Sequence, residues 1–385
     1  MIGALMAVPT IALTFHPLTD VLTRLRRTGP PAAILAAALA LAACASHPPP
    51  QALPGPAGKP ARVEIDAATG MARAELSVMT YNVAGLPWPI KSGRKRALRA
   101  IAGEIAALHE AGRAPDVLLL QEAFIPAAAA VGAPYSNRLR GPRASDRSAL
   151  DGPPPDPEFV RKRRFFKGEK LGKILSSGLY VFSDYPITAA HMTPFGRHSC
   201  AGYDCLANKG AMLLEIEMPG VPAPVQILNT HLNANGASGV SKARALVAHQ
   251  RQIDEIALLL KKALNPDRPF IYAGDFNTRN STDRFEHKTD TLPGEIVRRY
   301  CVRADSGCEV AMSWDGDAPW LDTQDLQGFS SGADVAVRPI RVEALFDAPR
   351  DGRMLSDHDA YLVTYELVWP AAGEKQAAVA AGGRD

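Results

Sequence analysis

Two stretches of this chain share one plan, and that plan constrains the fold more than any other feature. Residues 76–83 (LSVMTYNV) read as a strand, 95–112 (KRALRAIAGEIAALHEAG) as a helix and 116–123 (DVLLLQEA) as a second strand. Leu98, Ile101, Ile105 and Leu108 recur at three- and four-residue steps, which gives that helix one apolar stripe. The order repeats in 224–232 (PVQILNTHL), a helix over 241–264 opened by Ser241 as N-cap, and 268–277 (RPFIYAGDFN). Each final strand ends in a carboxylate, Glu122 in the first unit and Asp275 in the second. A carboxylate at the end of a buried strand needs water, a partner or a metal.

Between the two units lie a strand at 178–183 (GLYVFS) and an alternating one at 210–218 (GAMLLEIEM). A Pro/Gly turn joins the latter to 224–232 as a hairpin, and 360–368 (AYLVTYELV) supplies the last strand. This count predicts an α/β fold, a four-layer sandwich of two mixed β-sheets flanked by helices, over residues 75–369. The alternative, an open doubly wound sheet, lacks a Gly-rich phosphate loop after its first strand.

The segment before the fold reads as a targeting region. Arg24, Arg26 and Arg27 precede the uncharged run 32–43, which is too short to span a bilayer and suits a signal-peptide core. LAAC (41–44) resembles the bacterial lipobox, which implies cleavage after residue 43 and acylation of Cys44. Ala45, where an Asp would signal retention, implies the outer membrane by the same resemblance. Residues 44–74 begin rich in Pro and Gly and read as a tether, and 370–385 as a flexible tail. In an oxidising compartment the four remaining cysteines are expected as two short-loop disulfides, Cys200–Cys205 and Cys301–Cys308. Neither pair has the two-residue spacing of zinc ligands.

The whole chain carries +3, and the leader holds three arginines and one aspartate, so the rest is about +1. Strong nonspecific nucleic-acid binders are usually more basic. Charge is nevertheless concentrated in 136–175, with eleven Lys/Arg against five Asp/Glu, and Phe165 and Phe166 sit inside its basic run. Either a solvated loop or contact with an anionic surface, lipid or nucleic acid, fits that composition. A monomer is expected.

Several polar residues close hydrophobic strands: Asn82 in TYNVAG, Glu122, His231 in LNTHLNA, then Asp275 and Asn277. Asp357 and His358 stand just before the last strand. Asp275 and Asn277 are two residues apart, so on extended chain both face one side. A two-layer sandwich would gather all of these ends in one cleft. Oxygen donors from Asn82, Glu122 and Asp275 suit Mg²⁺ or Mn²⁺ better than Zn²⁺, and magnesium sites commonly add substrate phosphate oxygens. His358 beside Asp357 has the makings of an oriented base, and His231 of a donor to a phosphoryl oxygen or leaving group.

The ordered set YNVAG, QE, NTHL, GDFN and SDH closely resembles the endonuclease/exonuclease/phosphatase superfamily across residues 76–368. The resemblance implies that Glu122 binds the catalytic metal and that Asn82 supports the metal and phosphate site. It implies that Asp275 polarises the attacking water, Asn277 orients the phosphate and His231 stabilises the transition state. His358, oriented by Asp357, takes the acid/base position. SCAGYDCLANKGAML (199–213) and GLYVFSDYPI (178–187) resemble bacterial sphingomyelinase C-like phosphodiesterases, which makes Asn208 and Lys209 substrate-binding candidates. The same group carries exposed aromatics before the final Asp–His, and here Trp314 and Trp320 would meet the membrane with Phe165 and Phe166. The lipobox and the basic insertion depart from the secreted sphingomyelinases. The expected function is metal-dependent phosphodiester hydrolysis on a phospholipid headgroup. The alternatives are a nuclease acting on DNA or RNA, an inositol or sugar phosphate phosphomonoesterase, and a non-catalytic binding module.

Overall fold

The computed structural model describes residues 60–150, 152–311, 324–350 and 352–371. Contacts divide the chain into Met1–Cys44 and Ala45–Asp385, and every described element belongs to the second unit. In chain order these elements are β1 (Glu64–Asp66), β2 (Met71–Asn82), α1 (Arg94–Glu110), β3 (Val117–Gln121), β4 (Asn137–Arg140), α2 (Pro157–Arg161), β5 (Tyr180–Ser183), β6 (Ile187–Pro194) and β7 (Gly210–Ile216). There follow β8 (Val225–His231), α3 (Lys242–Ala263), β9 (Phe270–Asp275), α4 (Thr282–Thr291), β10 (Glu295–Ile296), α5 (Val297–Cys301), β11 (Glu309–Ala311), β12 (Asp325–Ser330), β13 (Ala336–Leu345) and β14 (Ala360–Pro370).

Both strand–helix–strand units form as expected, and their strands pair in parallel, β2 with β3 and β8 with β9. Antiparallel neighbours complete two mixed sheets. One has eight strands in the order β11-β13-β14-β2-β3-β5-β4 with β1 against β2, and the other six, β10-β12-β9-β8-β7-β6.

Strand parity then builds the layers. Val78, Val117 and Leu119 face Ile227, Ile271 and Ala273 in a core between the sheets. The alternate residues Met79, Leu118 and Leu120 face outward onto Leu98, Ile101 and Ile105 of α1. On the other side Leu228 and Tyr272 pack with Ile253 and Ile256 of α3. Each fully buried side chain of this kind contributes roughly 1.5–3 kcal/mol. The result is helix, sheet, sheet, helix, the predicted sandwich.

Polar side chains also cross between the sheets. Gln121 Nε2 donates to Asn229 Oδ1 at 2.8 Å, and Asn229 Nδ2 to the Tyr180 carbonyl at 3.1 Å. Gln327 Nε2 donates to the carbonyls of Val78 and Tyr361 at 3.0 and 2.9 Å. A buried polar group misaligned by one residue would lose its partner, so these bonds fix the register of one sheet on the other.

Three expectations change. The tether over 44–74 is too long, because β1 and the start of β2 form a hairpin closed at Gly70 (φ 67°), and Met71 pairs with Pro370. Strands β12 and β13 were not expected; Pro339 and a register shift between Pro339 and Arg341 interrupt the alternation that would have revealed β13. The basic stretch 136–175 contains β4 and α2 and is fastened down. Buried Glu169 pairs with Arg244 of α3 at 2.7 Å and accepts from the Gly202 N–H, while the Arg244 guanidinium lies 4.1 Å over Phe159. Both expected disulfides, Cys200–Cys205 and Cys301–Cys308, are present.

One core residue breaks the rules of burial. Lys288 on α4 is fully buried, bonds the Tyr272 hydroxyl and lies 3.9 Å over that ring. Burial, with Arg299 adding to it, pushes its ammonium well below the usual lysine range. The unfolded chain therefore binds one more proton between the two values, and stability rises as pH climbs towards the ordinary lysine range. Lys288→Met should raise unfolding stability by about 1–4 kcal/mol at neutral pH and flatten that rise. Urea unfolding of both proteins across neutral to alkaline pH checks it; equal slopes would show that Lys288 stays charged.

Candidate active site

Three adjacent strands of the six-stranded sheet end at the same level. In the ladder His231 of β8 stands opposite Asp275 of β9, and Asp275 opposite Asp325 of β12. Neighbouring strands lie about 4.8 Å apart, so register alone assembles a row of one imidazole and two carboxylates. The eight-stranded sheet brings Asn82 from the end of β2, and Nδ2 donates to Asp275 Oδ2 at 2.9 Å. His358, just before β14, completes the cluster with Nε2 4.0 Å from Asp275 Oδ2.

Tight backbone makes this approach possible. A Cβ on Gly274 would lie 2.2 Å from the Thr230 carbonyl, and one on Gly85 2.6 Å from the Glu122 carbonyl. Ala84, Glu122 and Asn277, all in site motifs, hold positive φ of 45°, 52° and 51°. Non-glycine residues there cost on the order of 1–3 kcal/mol each, which the surrounding packing must offset. Arg94 is one such support: it donates to the carbonyls of Ala84, Val83 and Leu355 at 2.6–2.7 Å and ties the Asn82 turn to the His358 turn.

The electrostatics follow from burial. The Asp275 carboxyl is pushed up to about 7 by burial and by the charge of Asp325, against the pull of His358, Lys209 and the Asn82 amide. Burial opposes charge on His358, yet Asp325 in contact, with Asp275 and Asp357 beyond it, raises the imidazole to about 10. His231 moves the other way, well below the ordinary range, through burial and the positive charges of Lys209 and His358. Burial also raises Glu122, and Lys209 opposes it.

His358 finds a different partner from the one its sequence neighbour suggests. Nδ1 lies 2.7 Å from Asp325 Oδ2, while Nε2 faces the Gln324 amide at 2.6 Å. Asp357 turns away and pairs with Lys91 at 2.8 Å, and its side chain is 64% exposed. Burial works against charge on Asp357, but Lys91 holds its carboxyl below the usual range. The orienting acid is Asp325, which sequence reasoning missed. Its one signal is position: a carboxylate opening a hydrophobic strand, mirroring those that close β3 and β9.

Asn208 and Lys209 also take internal partners. Asn208 Nδ2 donates to the carbonyls of Arg143 and Asp146 at 2.7 and 3.1 Å. Lys209 bonds Asp204, His231 Nε2 at 2.9 Å and the Leu232 carbonyl at 2.8 Å. Lys209 therefore backs His231. Asn277 is held by its N–H on Asp275 Oδ1 at 2.9 Å and its amide on the Leu232 carbonyl at 3.1 Å. Trp314, Trp320 and Cys44 lie outside the described residues.

The cluster fits a divalent cation. Asp275, Asp325 and His358 each offer a ligand atom within 4.8 Å of one another. Two buried carboxylates whose like charges push Asp275 up are an environment that a cation relieves. The donors expected beside Asp275 were Asn82 and Glu122. Asn82 Oδ1 accepts from the Ala84 N–H at 3.0 Å, so the residue positions Asp275 through its amide. Glu122 borders the group without joining that closest triplet.

With this four-layer fold and these residues at the strand ends, the chain belongs to the endonuclease/exonuclease/phosphatase family, whose pattern matches residues 79–358. Among curated relatives, a sphingomyelinase from Mycobacterium bovis is 25% identical over 213 residues, covering 54% of this chain and 35% of that protein. The chain thus spans about a third of the length of the curated relatives it matches. Two solved structures share the fold. A beta toxin double mutant from Staphylococcus aureus with bound magnesium ions has a TM-score of 0.53 at 17% identity, covering 75% of this chain and 99% of that one. Sphingomyelinase C from Streptomyces griseocarneus has a TM-score of 0.51 at 20% identity, with the same coverage.

Proposed function

We propose that this chain is a Mg²⁺-dependent phosphodiesterase of sphingomyelinase type, hydrolysing the phosphoester of a phospholipid headgroup. The observation that carries the reading is the row His231, Asp275 and Asp325 closed by Asn82 and His358. The likeness to mycobacterial sphingomyelinases supports the choice of lipid.

In-line hydrolysis needs groups acting on the attacking water and on the phosphoryl oxygens. Asp275 and His358 are 4.0 Å apart and so serve the same end of the reaction axis, that of the water. Asp275, its carboxyl pushed up to about 7, takes up the water's proton. His358, raised to about 10 and so already an imidazolium at neutral pH, donates to the water's oxygen and orients it. Asp325 holds that imidazolium and fixes its ring, as a buried aspartate does in a catalytic triad. His231 stays neutral, and with Lys209 behind it brings positive potential to the phosphoryl oxygens. A cation held by Asp275 and Asp325, with Glu122 bordering them, would add charge neutralisation at those oxygens.

The same reading puts the chain at a lipid surface, acylated at Cys44 in the outer membrane and acting as a monomer. Trp314, Trp320, Phe165 and Phe166 would supply contact; Phe165 and Phe166 are 48% and 80% exposed. Phosphocholine release from sphingomyelin vesicles by Ala45–Asp385, with Mg²⁺ and with a chelator, tests the proposal. Release that the chelator abolishes is expected. Folded protein that releases nothing from the vesicles but cleaves DNA would move the chain to the nuclease reading.

A further inference from the structure

The turn between β2 and α1 carries an unusual surface. Trp88 and Ile90 are 64% and 55% exposed at its tip, although large apolar side chains usually gain most from burial. Beside them opens a groove of about 540 Å³ lined by Leu86, Trp88, Lys91, Lys95, Arg99 and Ile125. Four cations, Arg94, Lys95, Arg96 and Arg99, occupy the first two turns of α1, with no acid in the first turn. The positive end of the helix dipole lies there, so helix stability alone argues against that placement. The N-cap, Gly93, is left-handed and gives no side-chain cap. Arg94 is spent on backbone carbonyls, but Lys95 and Arg99 are exposed and have no ion-pair partner among the described residues.

We propose that the 86–99 surface is a docking site for an anionic bilayer, with Trp88 and Ile90 entering the interface and Lys95, Arg96 and Arg99 lying against lipid phosphates. Tryptophan and aliphatic side chains at a turn tip suit the headgroup boundary, and basic residues behind them suit a negatively charged leaflet. A nucleic-acid backbone would use the cations and leave Ile90 exposed. The surface also borders the cleft: Lys91 pairs with Asp357, next to His358, and Ile125 lies three residues beyond Glu122. Docking here would bring lipid headgroups to the mouth of the site. This extends the phospholipid reading, but binding itself does not depend on turnover.

The test is co-sedimentation of Ala45–Asp385, the unit that holds every described element, with phosphatidylcholine vesicles with and without phosphatidylglycerol. Turnover of soluble p-nitrophenyl phosphorylcholine is measured in parallel. Binding to the anionic vesicles should weaken with salt and fall on the order of twentyfold in Lys95→Ala with Arg99→Ala. Trp88→Ala with Ile90→Ala should lose roughly tenfold. Soluble turnover should be unchanged in both. Equal vesicle binding by all three proteins would overturn the proposal, as would binding to a DNA duplex but not to vesicles. If the parent protein lacks soluble turnover yet shows these losses, the docking surface stands and the phosphodiesterase reading falls.

Discussion

Asp325→Asn should lower kcat for phosphodiester hydrolysis by on the order of 10³- to 10⁴-fold, while Asp357→Asn stays within about fivefold of the parent. Asp325 Oδ2 lies 2.7 Å from His358 Nδ1 and is almost wholly buried, so it sets both the orientation of the ring and its affinity for a proton. An amide there would keep the volume and lose the charge. Asp357 makes a partly exposed pair with Lys91, the kind worth no more than about 1 kcal/mol. Steady-state kinetics on the two variants decide the matter, with the His358 ring followed by NMR titration. Its pKa should drop in Asp325→Asn and fall much less in Asp357→Asn. The opposite pattern would return the orienting role to the sequence neighbour.

Asp275→Asn should abolish measurable turnover, a loss of about 10⁴-fold or more, with folding intact. This residue is the hub of the site. It accepts from Asn82 at 2.9 Å and from its own Asn277 N–H at 2.9 Å, and lies 3.3 Å from His231 and 4.0 Å from His358. Substitution removes a buried carboxylate already pushed up to about 7, so the native state loses a strained charge and stability should not fall. Circular dichroism and urea unfolding separate the two effects. Magnesium-dependent protection against unfolding should also disappear, a readout independent of turnover. Activity within tenfold of the parent would remove Asp275 from the centre of the mechanism.

The two parallel units were legible because each of their faces is apolar with its own period. Leu98, Ile101 and Ile105 mark a helix stripe, and continuous apolar runs mark β3 and β9. The strands β12 and β13 were not, because Gly328 and Pro339 interrupt their patterns. Exposure at Trp88 was invisible for a related reason: an apolar residue in a turn reads the same whether or not something covers it.

By itself the sequence determined the sandwich and both disulfides, and it pointed to Asn82, His231, Asp275, Asn277 and His358 as the candidate site that the fold brings together. The sandwich follows from local periodicity, the disulfides from close cysteine pairs, and the candidate site from polar residues at strand ends, where burial makes a carboxylate or imidazole costly without a purpose. Only the tertiary structure decided who partners whom. Asp325 reaches His358 from 33 residues away because β12 and β9 share a register, while the adjacent Asp357 turns towards Lys91. Lys209 serves His231 because β7 and β8 pair. Hydrogen bonds act over about 3 Å of space whatever the distance along the chain, so partner choice is a property of the packed sheets.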